Sequence, residues 1–375
     1  MKLGILCTMI NGFGRRGFYN VQEVGLGRAL ARMGHTVTVY KCLKQTGDLK
    51  EDVVEAEPGL TVRYIPIKGI GSHGWFDTAM LDEKLDGLVC FADTQVFLPR
   101  VYRWCKNRGV PFVPYIGTTF SVHGGLHGKI MDTWFSLGTL RIYKRIPVIA
   151  KTDGAKKELE ALGVHDIRIA NVGLDTTMLK SDFRTQDRTA ARAKFGFTAE
   201  DVVIGSVARL EPDKRPLELI EVFHNIQQEK PSKLLLVGEG VLHDQVVAKI
   251  EEYGLQDRVR LEKRMPFADM WQFYTAIDYF VNMNVEEIFG MAVMEAVYYE
   301  TPVVASMAPG PSITLKGLKG HYLCETDRDS ELCLLAPYPD KKDLEESAKT
   351  LVEKFSWNHA ANAFADLVKQ AKKAI

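Results

Sequence analysis

The stretch MKLGILCTMINGFGRRGFYNVQEVGLGRALARMGHTVTVYK, residues 1–41, decides how the chain is read. An apolar run at 2–7 meets a glycine-rich turn with the spacing Gly12-x-Gly14-x-x-Gly17. A segment of helical periodicity follows, and then the β-branched run HTVTVYK. Strand, turn, helix and strand in that order form one βαβ unit. The glycines let backbone approach a ligand closely, and the helix start favours an anion, so the turn suits a phosphate. A dinucleotide fold also needs a carboxylate at the end of the second strand, for the ribose hydroxyls. Here that strand closes on Tyr40-Lys41 with no acid in place. Lys41 and Lys44 could hold a 2′-phosphate instead, so an NADP-binding enzyme stays open as an alternative, beside a tight turn with no ligand.

Outward from this unit the pattern repeats. GLVCFA, PFVPYIG, PVIAK and IRIANVG are further strand candidates in the first half. A polar segment, TTMLKSDFRTQDRTAAR, reads as a linker and lead-in helix, after which DVVIGSVA, KLLLVGEG, VRLEK, DYFVNM and PVVAS restart the alternation. Between them PLELIEVFHNIQQ places Leu219, Val222, Phe223 and Ile226 on one helical face. The expected fold class is therefore α/β, two Rossmann-like doubly wound domains with mainly parallel sheets, facing across a cleft. Domains are expected over 1–175 and 176–355, with a C-terminal helix over 356–375 returning to the first.

Composition fits this reading. With 375 residues, 46 % hydrophobic and 26 % charged, the chain has the make-up of an ordinary globular protein with two cores. Its zero net charge gives no cue to nucleic acid, but the charge is uneven: residues 94–152 hold nine Lys and Arg against one acid, Asp132. The six cysteines have neither C-x-x-C nor metal-ligand spacing and read as free thiols. The N-terminal apolar run is too short for a secretory segment, and no run reaches membrane-spanning length. A cytoplasmic location is expected.

The second half carries the more specific signals. Arg209 and Lys214, in VARLEPDKRP, stand past a strand and at a helix entry, where two cations suit a diphosphate. In VEEIFGMAVMEAVYYETPVVAS, Glu287 and Glu295 lie eight apart, with Phe289-Gly290 between them and a helix starting near Met291. Glu287 precedes the free N–H groups of Gly290–Ala292, and Glu295 falls in the second helical turn among apolar neighbours. Carboxylates so placed can accept the vicinal hydroxyls of a sugar or ribose.

VARLEPDK, LLLVGEG, EEIFGMAVMEA…ETPVVAS and the tail FSWNHAANAF resemble the GT-B retaining glycosyltransferases of family 4, whose motif is E-G-F-G-L-x-x-x-E. GRALARMGHTVTV and VIAKTDGAKKELEALGV…IRIANVGLD extend the likeness over nearly the whole length. The resemblance implies that Glu295 binds the nucleotide ribose and that Glu287 binds a hydroxyl of the donor sugar. Backbone at Phe289, Gly290, Met291 and Ala292 would hold the sugar's other hydroxyls. Arg209 and Lys214 would neutralise the donor diphosphate. Gly17, counted back from Gly34-His35, would touch that diphosphate too, with Phe18 in place of the second family glycine. His123, in GTTFSVHGG, falls where the family often keeps a histidine near the donor sugar, with His127 a nearby competitor. Arg264 matches a base-contacting loop. Catalytic roles are thus implied for His123, Glu287, Arg209 and Lys214. Asn284 stands in place of a usual serine, Glu286-Glu287 doubles the acid, and APGPSITLKGLKG replaces a family loop.

The implied reaction is retaining transfer from a nucleotide diphosphate sugar, UDP-sugar favoured, to a glycan or lipid-linked acceptor in cell-surface polysaccharide or glycolipid assembly. No cofactor or metal is expected; the lone D-x-D, Asp327-x-Asp329, reads as a solvated loop. A nucleotide-sugar epimerase or hydrolase on the same fold is the alternative enzyme. The aromatic and basic residues of 94–152 suit an anionic membrane surface, placing the protein peripherally at the inner face of the membrane.

Overall fold

The computed structural model describes residues 1–10, 21–93, 95–119 and 132–373. The chain divides into two compact units: the described residues up to Gly173 together with 355–373, and residues 174–354.

The first unit is built on a sheet of eight strands. These are β1 (Lys2–Cys7), β2 (Thr36–Lys44), β3 (Asp52–Glu57), β4 (Leu60–Ile67), β7 (Gly87–Phe91), β8 (Phe112–Ile116), β9 (Val148–Ala150) and β10 (Ile167–Ile169). A small hairpin, β5 (Gly69–Ile70) with β6 (His73–Gly74), lies apart from the sheet. The order is β10-β9-β8-β7-β1-β2-β4-β3, parallel throughout except for β3, which runs antiparallel to β4. β1, β7 and β8 are buried almost without a break, so they are legible as continuous apolar runs. β3 and β4 were not anticipated. DVVEAE is a mostly exposed edge strand with three acids, and β4 alternates buried and half-buried residues beside it. β2 is also longer than expected, continuing past Lys41 to Lys44.

The second unit has six parallel strands in the order β13-β12-β11-β14-β15-β16. They are β11 (Val203–Val207), β12 (Lys233–Val237), β13 (Val259–Glu262), β14 (Tyr279–Asn282), β15 (Val303–Ser306) and β16 (Tyr322–Cys324). In local numbers this is 3-2-1-4-5-6, the doubly wound order, with its reversal between β11 and β14. The helix Pro216–Ile226 buries Leu219, Val222, Phe223 and Ile226, the face expected from their spacing. Asp327 and Asp329 are not in a solvated loop. Thr326 and Asp329 form a capping box at the start of the helix Asp327–Leu335, and Asp327 accepts from Arg215 at 2.8 Å.

Lys41 is not available to a phosphate. It is 2 % exposed, and its Nζ donates to Glu23 Oε1 at 2.8 Å, with Cys7 Sγ 3.8 Å away. Burial opposes the charge on Glu23, but the Lys41 ammonium together with hydrogen bonds from Cys7 and Lys41 outweighs it and leaves the carboxyl below its ordinary range. Of the two cations that could support NADP, Lys41 is thus committed to tying the Gln22–Arg32 helix onto β2, while Lys44 is exposed.

Candidate functional site

Ligands of doubly wound sheets bind beyond the carboxyl ends of the strands where the order reverses. In the second unit that point is flanked by the segments after β11 and β14, and these carry Arg209, Lys214 and Glu287. After β11 the backbone runs through Arg209 into a single 3-10 turn, Pro212–Lys214. The next residue, Arg215, adopts φ 51, a conformation uncommon for a side-chain-bearing residue, before Pro216 opens the helix. Ion pairs to Asp327 at 2.8 Å and Glu218 at 3.3 Å hold Arg215 there. Behind this turn Gly238 and Gly240 pack on backbone: a Cβ would lie 1.8 Å from the Ala208 carbonyl oxygen and 2.3 Å from that of Leu210. The glycines of LLLVGEG therefore set the position of the Arg209 loop.

After β14 the chain makes a ladder of short bonds. Asn282 Oδ1 accepts from the Asn284 N–H and Asn284 Oδ1 from the Glu286 N–H, each at 2.9 Å. Asn284 Nδ2 donates to Glu287 Oε2 at 3.1 Å, and the Gly290 N–H donates to Glu287 Oε1 at 3.2 Å. Lys214 Nζ completes the set at 3.2 Å from Oε2. Glu286 joins this ladder only through its backbone N–H and its side chain is exposed, so geometry separates the two adjacent acids. Gly290, at φ 80, turns the chain into the helix Met291–Tyr298. Among the described residues no side chain caps its first N–H groups, which suit an oxygen-rich ligand.

The segment whose contacts were open from sequence, APGPSITLKGLKG, forms the helix Pro309–Thr314 behind this loop. The Gly310 N–H donates to the Glu287 carbonyl at 2.7 Å, and a Cβ on Gly310 would fall 2.6 Å from Phe289 backbone. Only glycine allows that approach, and it fixes the donor-side loop from below.

Asp213 lies between the two cations, 3.6 Å from Arg209 Nη2 and 3.4 Å from Lys214 Nζ. Glu295 faces inward, 7 % exposed, with Oε2 accepting from the Tyr274 hydroxyl at 2.9 Å. Burial pushes its carboxyl up to about 7, partly offset by the Tyr274 hydrogen bond. Phe289 is buried, while Met291 and Ala292 are half-buried at the helix start. Arg264 is half-buried on the loop after β13, the outermost strand on that side. The structure thus joins Lys214 to Glu287 directly and gathers Arg209, Gly290 and Glu295 on neighbouring segments, with Arg264 two strands away from β11. His123, His127, Gly17 and the rest of the glycine turn lie outside the described residues. Among the described residues no group of three or more His, Cys, Asp or Glu gathers as a metal site. Asn284, Asp213, Tyr274 and Gly310 were not assigned roles from sequence. Of these, Asn284 carried a signal as a departure from the usual serine, and Gly310 lies in the segment that replaces a family loop.

Comparison with known proteins agrees with this architecture. Residues 187–333 match the family described as Glycosyl transferases group 1. The chain is 26 % identical to D-inositol 3-phosphate glycosyltransferase 2 of Catenulispora acidiphila, over 95 % of this chain and 90 % of the relative. Sucrose-phosphate synthase from Thermosynechococcus elongatus superposes with a TM-score of 0.75 at 18 % identity, covering 100 % of both chains. The Anabaena protein HepE, solved with UDP and glucose, gives 0.67 at 17 % identity, over 100 % of this chain and 99 % of its own. Together these likenesses support a glycosyltransferase of the GT-B class, and family 4 fits them.

Proposed function

We propose that the protein is a retaining hexosyltransferase that uses a nucleotide diphosphate sugar, UDP-linked, and needs no metal. The observation that carries this reading is the meeting of Lys214 and Glu287 at the reversal point of the second sheet. Glu287, oriented by Asn284 and Gly290, accepts a donor-sugar hydroxyl. Lys214 and Arg209 take the charge that builds on the departing diphosphate, the largest electrostatic demand of an oxocarbenium-like transition state. Glu295 receives the ribose hydroxyls, and Arg264 lies toward the base. The departing phosphate itself helps to accept the proton of the incoming hydroxyl, so no separate base is required on the attacking face.

The acceptor is a glycan or lipid-linked molecule of cell-surface assembly, handled at the inner face of the membrane. Trp134 and Leu137 are 53 % and 59 % exposed, near the exposed cations Arg141, Lys144 and Arg145. That combination supports an anionic lipid surface as partner. No described helix is long and apolar enough to cross a membrane. A second acceptor class, a phosphorylated polyol, is favoured by the Catenulispora relative, which is named for D-inositol 3-phosphate.

The test is incubation with UDP-, GDP- and ADP-sugars, following nucleotide release by mass spectrometry and the product anomer by proton NMR. Release of one nucleotide diphosphate with retained configuration supports the proposal. A rearranged sugar nucleotide would favour the epimerase, and inversion would remove the retaining assignment.

A further inference from the structure

Glu295 is an unusual ligand for a ribose because it is enclosed before any nucleotide arrives. It lies in the helix Met291–Tyr298; among the described residues no cation stands beside it, and one tyrosine hydroxyl reaches it. Tyr274, on the helix Met270–Ala276, is less than 2 % exposed. Its ring stacks on Tyr299 with centroids 5.0 Å apart and planes 15° from parallel. Tyr299 is held in turn, its hydroxyl accepting from the Lys180 N–H at 3.1 Å. The Tyr274 hydroxyl therefore sits in a fixed place, 2.9 Å from Glu295 Oε2 and 3.4 Å from the Ala292 carbonyl oxygen.

We propose that Tyr274 is a positioning residue for nucleotide capture, holding one oxygen of Glu295 so that the other is presented to the ribose hydroxyls in the ionised, accepting form. This rests on the reading of Glu295 as the ribose carboxylate. The ionised carboxylate accepts two hydroxyls far more strongly than the neutral acid, one of whose oxygens carries a proton. Burial works against that charge and leaves the carboxyl near pH 7, while the phenol's hydrogen bond works for it. Among the described residues Tyr274 and Tyr299 are the titratable groups that face Glu295, and burial raises both well above their ordinary range, so neither ionises near neutrality. Nucleotide binding is then linked to proton release from Glu295, and Tyr274 sets the pH at which the site opens for binding.

The experiment is calorimetric titration of the full chain with UDP-glucose, GDP-glucose and ADP-glucose between pH 5.5 and 8.5, in buffers of differing ionisation heat. These probes carry a diphosphate diester that does not titrate in this range. Wild type, Tyr274→Phe and Glu295→Gln are compared with whichever probe binds wild type most tightly. Wild-type affinity is expected to rise through pH 7 with release of a fraction of a proton. Tyr274→Phe keeps the stacked ring and loses only the hydroxyl. Its binding midpoint should move up by about one pH unit. Affinity would then be several-fold weaker at pH 7 and close to wild type at pH 8.5. A Tyr274→Phe profile identical to wild type, or a uniform loss with an unmoved midpoint, overturns the proposal. Glu295→Gln should bind weakly with no pH dependence. Wild-type binding by Glu295→Gln would instead remove the ribose assignment itself, and the inference with it.

Discussion

Lys214 and Glu287 are 73 residues apart in the chain and 3.2 Å apart in space, with Asn284 bonded to the same carboxylate oxygen at 3.1 Å. The three side chains come from the two segments that flank the reversal of the sheet, so their meeting is a product of strand order rather than of local sequence. Asn284 does two jobs: its amide nitrogen orients Glu287 and its oxygen takes the Glu286 N–H. Asn284→Ala should lower donor turnover about tenfold by freeing the carboxylate. Asn284→Asp should do worse, because it sets a second negative charge against Glu287. Steady-state kinetics on both variants checks this order.

The pair of Glu23 with Lys41 predicts a stability effect in the first unit. Their side chains are 8 % and 3 % exposed, so removing one partner strands a buried charge. Glu23→Leu or Lys41→Met alone should cost about 3–5 kcal/mol, while the double change Glu23→Leu with Lys41→Met should cost far less than the sum. Urea denaturation of the three variants measures the coupling. Additive losses would show that the pair does not act as a unit.

Acid sensitivity should come in part from His321. Its Nδ1 accepts from the Val303 N–H at 3.2 Å, its Nε2 is covered and unpartnered, and burial lowers its pKa to about 4. The folded state keeps the ring neutral while the unfolded chain takes up a proton near its ordinary pKa of about 6.5. The stability that this ring contributes is therefore complete above pH 6.5 and is lost as the pH falls toward 4, by about 3 kcal/mol. His321→Gln should flatten that limb of the stability profile, measured by urea unfolding from pH 4 to 8. An unchanged slope would contradict the assignment.

Vesicle flotation tests the lipid surface. Binding to vesicles containing anionic lipid should be weak, fall steeply between low and physiological salt, and drop further in Trp134→Ser with Leu137→Ser. Binding that ignores salt, or no binding, would remove the membrane partner.

Much of the fold is legible because parallel strands buried on both faces must be apolar runs, as in Lys2–Cys7, Gly87–Phe91 and Val203–Val207. β3 escapes that logic: an exposed antiparallel edge with three acids has no apolar signature. Lys41 misleads for a related reason, since a lysine in a strand reads as solvent-facing until its partner Glu23 is seen across the helix. The Glu287 and Lys214 signals are visible as charges among apolar or turn residues. What the sequence hides is what holds them: the Asn284 ladder, the Arg215 turn and the close approach of Gly310 all depend on contacts between distant segments.

The central claim is that the Lys214–Glu287 pair belongs to a donor site for a nucleotide sugar. Its most direct test is single-turnover nucleotide release from the preferred sugar nucleotide by wild type, Lys214→Met and Glu287→Gln, with Lys342→Ala as an exposed control. The account predicts that each of the first two variants releases nucleotide about 10²–10³-fold more slowly, with thermal stability close to wild type, and that the control is unaffected. Wild-type release by either Lys214→Met or Glu287→Gln would contradict it.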